Sequence, residues 1–450
     1  MNAIVHLVSP AMFQGSVKRG VVDGELNFLA SGLRESGFEV RVYDGYRTKS
    51  DPSGLLISAL EDSRGSNIIL WHIWKVEFLE SGLAALFRSL EDVNRGNAKI
   101  VMGAFGYLAS SLRHRLNANG DWFDFVVGAE GIDWLIADRQ SPDALDVAEA
   151  TRQRLSGERS GTASDVSLSE DVTADSVVSI GASRGCRARC TFCAYNADLG
   201  HGWHPRPIAT VAEEITLVLA QRKTRKIAFY DNDFGGSRDE LTERARALHR
   251  ELSSRGLLGA ADIALNARSD CLTRETIEIL SEIGVRTILT GLESFNPTTR
   301  LRLFGKRVDM AHLRTVIDAC DQFGIELLLS YILWHPHQSL EGVGQEVKEI
   351  VAWGRHRIPQ FLSRSQLSIV PGTPIARILG RQGLVTQASE FSLRPLYAHS
   401  GTGEWLGTAQ AWLKTQFASL PRAGAPKREL YAALARLKQQ ELAMYVSALC

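Results

Sequence analysis

Three cysteines of this 450-residue chain fall within eight positions: Cys186, Cys190 and Cys193, spaced C-x3-C-x2-C. The remaining three, Cys271, Cys320 and Cys450, stand alone. So few cysteines in so long a chain make no disulfide framework. Three thiolates at this spacing can bind three irons of a cubane cluster, leaving the fourth iron open to a small molecule. The logic parallels zinc sites, where an open position separates catalysis from structure. Two other readings compete. A zinc site using Cys190 and Cys193 needs a second pair of ligands nearby, for which His201 and His204 are the candidates. Unliganded core cysteines sit badly in a segment rich in Arg and Gly, such as Arg184, Gly185, Arg187 and Arg189.

These thiols follow directly after a strand-like run, 177–182. Further strand candidates are 226–231, 261–266, 285–291, 325–333 and 361–370, separated by helical patterns at 208–221, 238–255, 273–283 and 339–353. Roughly six strand-then-helix units are too few for a complete eight-fold barrel and suit a partial (β/α)6 TIM-type barrel over 177–375. Functional residues then belong at the carboxyl ends of its strands. Upstream, apolar runs at 3–9, 38–43, 67–74, 98–103 and 123–128 alternate with helical spacing at 24–36, ending at Gly37, and at 78–94, ending near Gly96. Continuous apolar strands alternating with helices imply an α/β fold, here a Rossmann-like doubly wound domain over 1–144. The Ser/Gly/Thr/Asp-rich stretch within 145–176 reads as a linker. Residues 376–450 read as a C-terminal helical region, with an amphipathic helix at 427–447.

The cysteine spacing, with Phe192 just before the third thiol, resembles the signature of the radical S-adenosylmethionine (radical SAM) superfamily. Further elements at successive strand ends carry the resemblance across 177–375. These are Asp231-Asn232-Asp233-Phe234, Arg268, Gly291-Leu292-Glu293-Ser294 and the turn from Pro371 to Pro374. The resemblance implies a [4Fe–4S] cluster on Cys186, Cys190 and Cys193, with S-adenosylmethionine on the open iron. One electron then releases a 5′-deoxyadenosyl radical that abstracts hydrogen from a substrate. It also implies cofactor contacts from Phe192, Tyr195, Asp231, Asn232, Arg268, Glu293 and Ser294. One departure is Leu333-Trp334-His335-Pro336-His337, where many relatives have Gly-x-Pro-Gly. Such rim residues suit either a substrate contact or packing on a neighbouring loop.

The first 140 residues look like the domain that precedes the barrel in cobalamin-binding radical SAM proteins, on the segments 100–106 and 124–131. The Asp-x-His-x-x-Gly motif that places a histidine beneath cobalt is absent, so cobalamin is allowed rather than required. No second cysteine block exists for an additional cluster. The whole is similar to enzymes that tailor aminoglycosides. The leading expectation is radical dehydration (deoxygenation) of an aminosugar, with Asp233, Glu293, His335 and His337 as candidate acid and base groups. An external electron donor or reductase, flavodoxin or NAD(P)H-dependent, would serve it. The alternatives are a cobalamin-dependent radical SAM methyltransferase, a tRNA-modifying enzyme and a non-enzymatic scaffold or sensor with a structural cluster.

Lys plus Arg and Asp plus Glu balance at 51 each. Nucleic-acid partners usually demand a basic surplus, so zero net charge favours a small-molecule substrate. No long uncharged apolar run suggests a membrane span, and the opening residues lack a signal-peptide pattern, so a cytoplasmic protein is expected.

Overall fold

Branched apolar runs form the strands of a parallel sheet in the computed structural model of the chain. It describes residues 3–9, 21–22, 24–44, 56–57, 59–60, 66–73, 99–116, 123–128, 131–136, 140–156, 172–195, 202–389, 392–420 and 427–450. Strands β1 (Ile4–Ser9), β3 (Glu39–Asp44), β4 (Ser66–His72), β5 (Lys99–Phe105), β6 (Phe125–Gly128) and β7 (Gly131–Trp134) lie in the order β3-β1-β4-β5-β6-β7. All neighbours are parallel except β6 and β7, which form a hairpin. Five of these strands match the expected runs. The order of strand addition reverses between β1 and β4, the switch point where open α/β sheets take their ligands. Helix α1 (Gly24–Glu35) covers one face and stops where Gly37 adopts φ 90°. The expected helix at 78–94 and its stop near Gly96 lie outside the described residues.

The segment read as a linker opens differently. Residues 142–156 form helix α3 (Pro142–Ser156) beyond the short α2 (Tyr107–Leu112). Val147, Ala148 and Leu155 of α3 are buried in the core with Leu29 and Leu33 of α1. Three of its five buried apolar positions are alanines, a pattern that composition alone mistakes for a spacer. Arg154 is buried there, lies 4.1 Å over the Phe28 ring and donates Nε to the Phe28 carbonyl.

The second sheet is parallel in the order β14-β13-β12-β11-β8-β2. Its strands are β8 (Val177–Ile180), β11 (Lys226–Phe229), β12 (Asp262–Asn266), β13 (Val285–Glu293) and β14 (Glu326–Tyr331). Helices α4 (Ile208–Ala220), α5 (Arg238–Ser254), α6 (Arg274–Ile283), α7 (Met310–Gln322) and α8 (Leu340–Trp353) follow them in alternation. Four begin with side-chain caps, at Ser237, Thr273, Asp309 and Ser339, and Ser237 forms a full capping box with Glu240. Two features were not foreseen. The edge beyond β8 is taken by β2 (Val21–Val22), from the amino-terminal part of the chain. The expected strand at 361–370 contributes only isolated bridges, a parallel one at Gln366 to Trp334 and an antiparallel one at Ile369 to Leu393.

Beyond it come α9 (Pro374–Arg381), a hairpin of β15 (Val385–Gln387) and β16 (Leu393–Pro395), and helices α10 (Thr402–Ala418) and α11 (Lys427–Leu449). Trp334 explains why the last two helices stay. It is fully buried, with the Trp405 and Tyr445 rings 5.7 and 6.2 Å from its own. The packing alternative for this rim segment therefore holds at Trp334.

Candidate active site

The loop after β8 begins with β9 (Ser183–Gly185), which pairs antiparallel with β10 (Trp203–Pro205). Gly185 has φ 79°, and a Cβ there would come within 2.2 Å of the Gly202 carbonyl oxygen, so only glycine turns the chain into Cys186. Cys186 and Cys193 are half-buried, Cys190 is buried, and none forms a disulfide. The loop is held from below and behind. Thr191 donates its amide to the Phe304 carbonyl at 3.0 Å, and the Thr191 carbonyl accepts from the Ile375 amide at 2.9 Å.

Asp231, at the end of β11, is buried and accepts the amides of Ala182 and Ser183 at 2.7 and 2.9 Å. Burial pushes its carboxyl up to about 6 despite those two N–H donors. Its job is to hold the root of the cysteine loop. Asn232 is half-buried and makes no side-chain hydrogen bond to a described residue. The Asp233 backbone carbonyl accepts from Ser183 Oγ and Trp203 Nε1, both at 2.8 Å. Its carboxylate lies 3.8 Å from Cys186 Sγ and 3.6 Å from the Arg268 guanidinium.

Sequence reasoning missed the groups that lock this corner. Arg244 donates to the carbonyls of Phe234, Arg206 and Ala182, three strand-end segments at once. Arg206 pairs with Glu214 at 2.6 Å in full burial. The Arg244 carbonyls come from three separate segments and Glu214 lies on the helix after Arg206, so no short motif announces either pairing.

Glu293 ends β13 beyond a register shift and takes φ 70°, a left-handed conformation that costs a non-glycine residue about 1–3 kcal/mol. Its carboxylate accepts from Lys306 Nζ at 3.0 Å and from Ser330 Oγ at 3.2 Å. A Cβ on Gly291 would strike both Lys306 Nζ and Glu293 Oε1, so glycine makes room for the pair. Ser294 faces elsewhere: its hydroxyl donates to Glu346 at 2.5 Å. Glu346 also accepts the amides of Phe295 and Asn296 and the Tyr331 hydroxyl.

Beside Cys190 opens a cavity of about 200 Å³, open to solvent on one side and also lined by Gly291. Five of its lining side chains are basic: Arg187, Arg189, Arg268, Lys306 and Arg307. Asp270 is the single carboxylate among them, and it is tied to Arg268 at 2.7 Å. Phe192 and Tyr195 lie off this cavity. Phe192 packs edge-on against Phe304, and Tyr195 is exposed on the last described turn of the loop.

The two histidine candidates separate. His335 is buried with its ring edge-on to Phe304, and burial, then His337, drives its pKa down to about 3. It is neutral at working pH and cannot supply a proton as an imidazolium. His337 is exposed and bonds Gln382 at 2.9 Å, at the end of α9. Asp233 and Glu293 are thus brought to the site, whereas His337 is turned to the outer rim.

Among the described residues, no three His, Cys, Asp or Glu side chains converge on one ion. A zinc site on Cys190 and Cys193 therefore lacks its other described ligands, and His201 lies outside the described residues. Three thiols outside any disulfide, spread along one loop, fit the donor set of a cubane, in which each sulfur takes its own iron. At the other sheet, the Ser9 hydroxyl at the carboxyl end of β1 is buried without a described partner. An orphaned donor at the switch point fits a ligand there, although the segments 10–20, 45–55 and 74–98 lie outside the described residues.

Residues 180–356 match the family model described as the radical SAM superfamily. A curated relative, the uncharacterized methyltransferase PH0819 of Pyrococcus horikoshii, is 26% identical over 168 residues. That match covers 37% of this chain and about a third of the relative's length, 35%. Among solved structures, the cobalamin-dependent S-adenosylmethionine radical enzyme OxsB, with aqua-cobalamin and S-adenosylmethionine bound, aligns over 98% of this chain and 72% of its own. The TM-score is 0.72 at 15% identity. The radical S-adenosylmethionine methyltransferase TsrM of Kitasatospora setae, with cobalamin and a [4Fe–4S] cluster bound, covers 90% and 84%, with TM-score 0.65 at 15% identity. At such identity the likeness is one of fold.

Proposed function

From the match of residues 180–356 to the radical SAM superfamily, we propose that the chain is a cobalamin-dependent methyltransferase acting on a small polar molecule. One observation carries the reading. Ala194, next to Cys193, and Val370 share a single hydrophobic cluster with Val8, Trp71 and Ile73, at the carboxyl edge of the first sheet. The cysteine loop is thereby packed against the edge where a doubly wound sheet takes its ligand. The fold shared with two cobalamin-bound structures, and a curated relative named as a methyltransferase, support it.

In this reading Cys186, Cys190 and Cys193 hold the cluster, and the basic cavity beside Cys190 holds the carboxylate end of S-adenosylmethionine. Arg268 and Lys306 are the cations placed to pair with that carboxylate. Ser9 and the β1/β4 edge would hold cobalamin, which when bound supplies a cobalt atom able to carry a methyl group. The chain's own work is to orient and enclose. Glu293 fixes the Lys306 ammonium, and Asp233 fixes Arg268.

Aminosugar dehydration is the weaker reading. A neutral His335 and an outward His337 leave Asp233 and Glu293 alone as proton carriers, and each already faces a cation. The basic lining also opposes a polyammonium substrate. A reductant from outside is common to both readings.

Protein reconstituted anaerobically with iron, sulfide and hydroxocobalamin separates the two. Retained corrinoid absorbance, with deuterated methyl from S-adenosylmethionine appearing in product alongside S-adenosylhomocysteine, is expected. Formation of 5′-deoxyadenosine alone, with no corrinoid retained, would return the dehydratase reading.

A further inference from the structure

Glu25 lies in the first turn of α1, far from the cysteine loop in the chain, yet its two carboxylate oxygens reach a residue at the root of that loop and one at the end of β4. Oε1 is 3.0 Å from the Arg184 guanidinium. Oε2 is 3.1 Å from His72 Nε2. Arg184 sits in β9, two residues ahead of Cys186, and its side chain is nine-tenths buried. His72 is the last residue of β4, the strand that borders the switch point of the first sheet, and its ring stacks on Phe105 at 4.8 Å. The helix carrying Glu25 is itself tied down at its start, because β2 pairs in parallel with β8, the strand that leads into the cysteine loop.

We propose that Glu25 is a positioning residue for the iron–sulfur cluster: it clamps the root of the cysteine loop, through Arg184, to the ligand edge of the first sheet, through His72. Three observations make the clamp more than a surface ion pair. All three side chains are largely buried, with exposures of 19, 9 and 7% for Glu25, Arg184 and His72. Burial alone would raise the Glu25 carboxyl, but Arg184 and His72 hold it down at about 2. Gly185, between Arg184 and Cys186, has no Cβ to brace the turn, so the Arg184 anchor is the side-chain restraint nearest Cys186 on its amino-terminal side. Partners that orient metal ligands from outside commonly contribute 10–100-fold in metal affinity. The inference rests on the proposed cluster, supported by the radical SAM match over 180–356, and is independent of whether methyl transfer is the reaction.

The test is cluster loss to an iron chelator from anaerobically reconstituted full-length protein, together with the electron paramagnetic resonance spectrum of the reduced cluster. Glu25→Gln keeps the shape and removes the charge. It is expected to lose iron about 10-fold faster and to broaden or shift the cluster signal. Glu25→Asp, which retains the charge, should recover most of the wild-type rate. Glu35→Gln, at the far end of the same helix, should match wild type in both readouts. An unchanged iron-loss rate and spectrum in Glu25→Gln would overturn the proposal. So would an equal effect of Glu35→Gln, since that would mark a general weakening of α1. Should Glu25→Gln fail to fold, His72→Asn provides the same readout from the other end of the clamp, and there too a wild-type spectrum would refute it.

Discussion

Lys306 and Glu293 form an ion pair of 3.0 Å at the wall of the cavity beside Cys190, and Gly291 leaves the space in which they meet. The carboxylate side chain is 5% exposed and the ammonium 18%. Removing one partner from such a pair leaves an uncompensated buried charge, costing about 3–5 kcal/mol. Lys306→Met should therefore destabilise the chain by about 3 kcal/mol and weaken S-adenosylmethionine binding. Lys306→Met combined with Glu293→Gln should recover most of the stability and none of the binding. Denaturant midpoints and equilibrium binding check this; strictly additive losses in stability would show that the two do not act as a pair.

Each of the three thiols proposed to hold the cluster occupies its own place on the loop, so none can replace another. Cys186→Ala, Cys190→Ala and Cys193→Ala should each abolish cleavage of S-adenosylmethionine and lower the iron and sulfide recovered after reconstitution. Cys271→Ala and Cys320→Ala change thiols buried in the core of the second sheet and its helices rather than carried on this loop, and should leave the iron content intact. Iron analysis on the five variants distinguishes the sets.

What could be read from the sequence was local. Cys186, Cys190 and Cys193 announce themselves by spacing, and β1, β4, β5, β8 and β11 by largely apolar runs. Residues whose meaning depends on a distant partner were silent. Arg244 holds carbonyls at 182, 206 and 234, and Glu346 gathers four donors from 294–296 and 331. In sequence both are ordinary charged residues on helices. The 361–370 run failed as a strand for a related reason. Apolar alternation specifies burial, and here Leu362 and Leu367 are buried without a ladder, against the C-terminal helices and α9 respectively. Ser294 and His337 were placed at the site by analogy of position. Glu346 and Gln382 take their side chains instead.

Asp231 gives a pH signature. Its folded pKa is about 6, raised by burial against a value of about 3.9 in the unfolded chain. A raised folded pKa favours folding below the unfolded value, and the advantage is lost as pH rises through 6. The loss amounts to about 2–3 kcal/mol between pH 4 and 7. Asp231→Asn keeps an oxygen for the Ala182 and Ser183 amides and cannot ionise. Its stability relative to wild type should rise by that amount over the same interval. A difference between the two proteins that stays constant from pH 4 to pH 7 would contradict the raised pKa.

His335 should give the opposite slope. Burial, with His337 nearby, lowers its pKa to about 3, below the ordinary value of about 6.5 in the unfolded chain. As pH falls below 6.5 the unfolded chain takes up a proton that the folded chain refuses, so stability is lost with acidification. At pH 5 the loss is about 2 kcal/mol. His335→Leu keeps the contact with Phe304 and removes the titration. The variant should therefore gain about 2 kcal/mol on wild type between pH 7 and pH 5, read from paired denaturation curves. The same low pKa predicts a turnover profile with no limb from His335 between pH 5 and 8. His337→Ala, at an exposed contact with Gln382, should change stability by less than about 0.5 kcal/mol and leave turnover unaltered. If His335→Leu instead removed an acid limb from the turnover profile, His335 would be a proton donor after all, and the buried, neutral assignment would fall.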